Sequence, residues 1–194
     1  MTWLAIGGVV CLGFVVLFVG AVTLLFVYAS YSEKATEKRL RENGKPVLGV
    51  LVMANSQFLQ EQSIASAPAL VIISHEPPTP DLAAAMRDVA SDLFELYTAE
   101  DSKIASLSPP EQKMAELIKN DSYREGRRNR VSLEMTQGRV LYMTDIWLQR
   151  DRLPDHVGAS RVLACLATGQ EEGEVMALPF GEEAAQRIYA AVGV

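Results

Sequence analysis

From Trp3 to Ala29 the chain carries no charged side chain, and no other feature constrains its fold as much. A helix rises about 1.5 Å per residue, so the run would extend about 40 Å, against a hydrocarbon core of about 30 Å. It reads as a membrane span crossing once with some tilt. Trp3 at one end, and Tyr28 with Tyr31 at the other, stand where amphipathic rings settle at headgroup level. A cleaved signal peptide would instead need a basic n-region, an apolar core of about 7–15 residues and a small-residue cleavage site. Only Met1 and Thr2 precede the run, and Tyr28-Ala29-Ser30 is a weak match to such a site, so an uncleaved anchor is expected.

Lys34, Lys38, Arg39, Arg41 and Lys45 follow the run closely, and no basic residue precedes it. Basic flanks stay on the cytoplasmic side, so the globular part is expected in the cytoplasm, attached to the membrane through residues 3–29. Gly13 and Gly20 fall on nearly the same helix face and offer a close approach for a second copy, hence a homo-oligomer. The expected organisation is a transmembrane helix over 1–31, a charged juxtamembrane stalk over 32–46 that stops at Asn43-Gly44 before Pro46, and one domain over 47–194.

From Val47 onward there are 13 basic against 21 acidic side chains, a net charge of −8. Sequence-independent nucleic-acid binding rests on neutralising phosphates, so this balance disfavours it. Two histidines and one cysteine beyond the apolar run cannot assemble the usual Cys and His sets of structural zinc, and neither a metal nor another cofactor is expected. Cys165 sits among Val, Leu and Ala and reads as a small buried hydrophobe.

Val47–Met53 and Ala69–Ser74 are short apolar runs bounded by turn residues, the pattern of buried strands. Thr79 is placed to cap a helix with Pro80 at its first position, and Leu82, Met86, Val89, Leu93 and Tyr97 recur at helical spacing over 81–97. Ser108-Pro109-Pro110-Glu111 has the form of a capping box and predicts a second helix to about Asn120. Val131–Thr136 alternates, Gln137-Gly138 supplies a turn, and Arg139–Leu148 resumes an aromatic and β-branched run, which predicts a hairpin. Arg161–Ala167 and Glu174–Leu178 predict another, and a helix capped by Gly181 is expected over 182–192. Strands segregated from helices argue for an α+β soluble domain, mostly antiparallel sheet with about three helices, behind one N-terminal transmembrane helix.

No P-loop, dinucleotide fingerprint, zincin motif or EF-hand loop is present. Arg124, Arg127, Arg128 and Arg130 form a basic island in an acidic domain and are the expected contact for an acidic protein partner or an anionic lipid, since guanidinium groups pair with carboxylates and phosphates. The bland reading is a solvated loop answering the protein's own acidic helices. Weak catalytic candidates are His75, which follows an expected strand, His156, and the carboxylates Asp145 and Asp155. Asp145 interrupts an apolar strand and reads as an ion-paired core carboxylate or as an exposed edge residue. The expectation is a membrane-anchored, non-catalytic binding or scaffolding module, with a membrane-tethered hydrolase using His75 or His156 as the alternative.

Overall fold

The computed structural model describes residues 18–24, 27–28, 34–61, 63–119, 130–135, 138–153, 161–170 and 173–194. The chain divides into two compact units, Met1–Arg39 and Leu40–Val194. In the first, residues 18–24, 27–28 and 34–39 are helical.

The expected transmembrane helix requires correction. Among the described residues no helix is long and apolar enough to cross a membrane. The helical piece 18–24 would extend about 10 Å, a third of a hydrocarbon core, and the rest of Trp3–Ala29 apart from 27–28 lies outside the described residues. The single-pass topology, the membrane attachment through residues 3–29, the cytoplasmic placement and the membrane-anchored function, all expected from that span, are therefore not supported. The Gly13 contact also lies outside the described residues.

The second unit is an α+β domain built on a curled, six-stranded antiparallel sheet. Its strands are β1 (Lys45–Ala54), β2 (Ser66–Ser74), β3 (Val131–Glu134), β4 (Val140–Gln149), β5 (Val162–Ala167) and β6 (Val175–Ala177). Across the sheet they run β3-β4-β2-β1-β5-β6. Helices among the described residues from Ser56 onward are α1 (Ser56–Gln60), α2 (Pro80–Thr98), α3 (Asp101–Ile104), α4 (Pro109–Lys119) and α5 (Glu183–Val192). The expected β, β, α, α, β, β, β, β, α order is present, with α1 and α3 as additional short helices.

Local chemistry starts and stops these elements. Thr79 Oγ1 accepts the Leu82 amide at 3.2 Å, and Pro80 occupies the first turn of α2, where its missing N–H is no loss. Glu111 accepts the Ser108 amide at 2.9 Å, which closes the capping box of α4. The cap of α5 is Glu182 without a side-chain bond, not Gly181. Gly138, at φ 73°, donates to the Met135 carbonyl while the Met135 amide donates to Arg139, the three-residue hairpin loop that needs a left-handed glycine. Gly173, at φ 134°, closes the β5–β6 turn; a Cβ there would stand 1.9 Å from the Thr168 carbonyl oxygen.

Two apolar cores lie on opposite faces of the sheet. On one, Leu48, Val50, Leu70, Ile72, Leu141, Met143 and Ala164 pack under α2 and α5, together with Leu40. On the other, Val47, Leu51, Ala67, Ala69, Val71, Tyr142, Leu163, Cys165, Ala167 and Ala177 form a core to which, among the described residues, no helix contributes. Its residues come from the sheet's own strands and the following Leu153, so the sheet covers this face by curling, and β4 meets β6. Small side chains make that curvature possible. A Cβ on Gly49 would meet Cys165 Sγ at 2.8 Å. Coverage on both faces explains why β1, β2 and β5 read as continuous apolar runs rather than alternating ones.

Candidate functional site

Two buried arginines stitch the curled sheet, each 8% exposed. Arg130 stands one residue before edge strand β3, beside Thr144 if the β3–β4 register is continued. Its guanidinium reaches the turn after β5: Nη1 donates to Gly169 O at 2.9 Å and Gln170 O at 2.7 Å, and Nη2 to Thr168 O at 2.9 Å and Glu174 O at 3.2 Å. Arg152 Nη1 donates to Ala177 O of β6 at 3.0 Å, while its Nε and Nη2 hold Gln149 Oε1. The Arg130 charge is met by carbonyl dipoles, and its Nε is buried with no hydrogen-bond partner among the described residues. Burial pushes its pKa down from the ordinary 12.5. The two arginines tie one side of the sheet to the other.

His75 completes this cluster. Its Nε2 lies 3.2 Å from Arg130 Nη1, and its ring meets Tyr142 edge-on at 5.7 Å between centroids. Nη1 has two N–H groups, shared among Gly169 O, Gln170 O and His75 Nε2; since a guanidinium only donates, Nε2 meets it with its lone pair and the neutral ring carries its proton on Nδ1. Burial, then the charges of Arg130 and Lys45, lower the His75 pKa from the ordinary 6.5. Neighbouring Glu76 is paired with Arg139 at 3.5 Å.

The sequence-predicted candidates do not converge. His75 shares the curled face with Tyr142, whereas Asp145 pairs with Leu70 in register and projects to the helix side with Met143. Asp145 is half-buried and makes no ion pair among the described residues, so the expected core ion pair is absent there. His156 and Asp155 lie outside the described residues, as do Arg124, Arg127 and Arg128. Within the expected basic contact, Arg130 is taken up by the fold itself. Among the described residues no group of His, Cys, Asp or Glu is placed to hold a metal ion. Cys165 is fully buried, and burial pushes its thiol up to about 12.

A site with room for a ligand lies elsewhere. An open groove of about 430 Å³ is lined by Val89 and Leu93 of α2, Met114 of α4, and Ser132, Leu133, Glu134 and Met135 at β3. Among the described residues no strand pairs with the outer edge of β3. The Met135–Arg139 bond sets the alternation of the antiparallel ladder, so Leu133 and Val131 bond to β4 while Ser132 and Glu134 direct N–H and C=O outward. An unpaired backbone edge and an apolar trough therefore adjoin. Exposed Asp88, Asp92, Glu116 and Glu134 belong to the same three elements.

Sequence reasoning missed this site because Val89 and Leu93 recur at the helical spacing of an ordinary core-facing stripe. The available signal was the brevity of β3 beside a ten-residue β4, which leaves part of its partner helices unopposed. No family model, curated protein or solved structure matches this chain.

Proposed function

We propose that the domain of Leu40–Val194 is a recognition module that takes up an extended apolar peptide segment along the outer edge of β3. The adjoining of outward backbone groups at Ser132 and Glu134 with the apolar groove carries this reading. A strand added to a free edge gains main-chain hydrogen bonds, and its alternate side chains find specificity in pockets on one face. Here that face is the helix side, where Val89, Met114, Leu133 and Met135 are half-buried and ready to be covered. Methionines suit such a surface because their unbranched side chains adapt to different occupants. Together α2, α4 and β3 carry more acidic than basic side chains, which favours an occupant with basic flanks.

Fluorescence anisotropy with a labelled peptide of about ten residues, alternating Val and Thr between Lys-rich ends, tests it. The expected result is saturable binding in roughly the micromolar range, weakened at least about tenfold by Met114→Lys and by N-methylation of alternate peptide amides. Absence of binding, or binding indifferent to N-methylation, would overturn the proposal.

A further inference from the structure

We propose that His75 and Arg130 form an acid-sensitive latch on β3, so that protonating His75 loosens the strand edge at which the peptide is taken up. This rests on the reading of β3 as the binding edge. Arg130 is joined to Val131, the first residue of β3, by one peptide bond, and its guanidinium fastens that end of the strand to the β5–β6 turn. His75 Nε2 is one acceptor of that guanidinium, at 3.2 Å. A proton on Nε2 removes the acceptor and sets an imidazolium cation against a guanidinium that is largely shielded from water.

Among the described residues, the groups that face His75 and Arg130 do not offset this repulsion. Lys45, at the start of β1, adds positive charge; Tyr142 of β4 presents a ring edge; Glu76 on the same segment is engaged by Arg139. Glu174 reaches Arg130 through its main-chain carbonyl. The neutral form of His75 is thus the form that the closed cluster accommodates. Protonation shifts the balance towards a state in which Arg130 withdraws from His75 and the turn, and β3 frays from its first residue.

The test is amide hydrogen exchange by NMR on the whole chain without peptide, expressed as protection factors, alongside peptide anisotropy over the same pH series. Protection of the β3 amides should fall on the acid side of 6.5, and peptide affinity should fall with it by about tenfold. His75→Gln, neutral at every pH and able to accept from Arg130, should abolish both falls. His156→Gln, which removes the chain's other imidazole, should leave them in place. Constant β3 protection across the series, or a fall that persists in His75→Gln, would overturn the latch. Should His75→Gln not fold, the NMR titration of His75 in the intact chain decides: a pKa at or above 6.5 rules the latch out. A fall in protection without any peptide binding would instead retain the latch and remove the binding reading.

Discussion

Arg130 Nη2 donates to the carbonyl oxygen of Thr168 at 2.9 Å, and this bond links the approach to one edge strand with the turn leading to the other. Three more carbonyls of the same turn converge on the guanidinium. The geometry uses the planar fork of arginine, whose two terminal nitrogens spread four N–H donors over acceptors that a single ammonium could not reach together.

Arg130→Met therefore leaves the Thr168, Gly169 and Gln170 carbonyls without this donor, while Glu174 O keeps the Thr168 amide at 3.0 Å, and is expected to lower stability by about 3 kcal/mol, within the range for breaking a buried charged hydrogen-bond set. Arg130→Lys should recover only part of that. Urea unfolding with the denaturant slope checked for constancy measures both.

Gly49 and Cys165 face each other inside the curl, with room for only one of a Cβ and a thiol. Gly49→Ala alone should cost about 1–3 kcal/mol through overpacking. In a Cys165→Ala background the same change should cost distinctly less, since the sulfur at 2.8 Å is gone. A double-mutant cycle with additive costs would contradict the packing described for that face.

The thiol itself should be inert. Fully buried and with its pKa raised to about 12, Cys165 presents neither access nor thiolate near neutral pH. Iodoacetamide at pH 8 should leave it unmodified in the native protein, read by peptide mass mapping, and should label it in urea. Rapid native labelling would show that the curled face opens.

Acid should weaken the domain through His75. A neutral imidazole favoured in the folded state means that the unfolded chain binds more protons, so this contribution is present above the ordinary 6.5 and is lost as pH falls through the lower folded-state value. Urea midpoints from pH 7.5 down to 5 should decline in the unmodified chain and decline less in His75→Gln. Equal slopes would remove His75 as the cause.

Much of the domain was readable in the sequence because its elements carry local signals. The Thr79 cap, the Ser108–Glu111 box and Gly138 each depend on neighbours within a few residues, and α2, α4 and the β3–β4 hairpin follow from them. Uninterrupted apolar runs in β1 and β2 announced buried strands, but not what covers them on the curled side. Ala67, Ala69, Ala167 and Ala177 acquire meaning only when β4 and β6 are seen to meet over them. Arg130 was legible as one of four arginines in a basic island, whereas its role depends on a turn about 40 residues away. Asp145 and His75 looked combinable in sequence, yet strand parity sends them to opposite faces. The groove was invisible for the same reason, being made by residues from α2, α4 and β3 that no local pattern connects.

The most direct measurement is residue-resolved amide exchange at β3 with and without the alternating Val-Thr peptide at neutral pH. Strand addition predicts that the Ser132 and Glu134 amides, directed away from β4, gain at least about tenfold protection, while Leu133, already bonded to β4, changes little. Unchanged exchange at Ser132 and Glu134 with saturating peptide, or protection confined to another part of the domain, would contradict it.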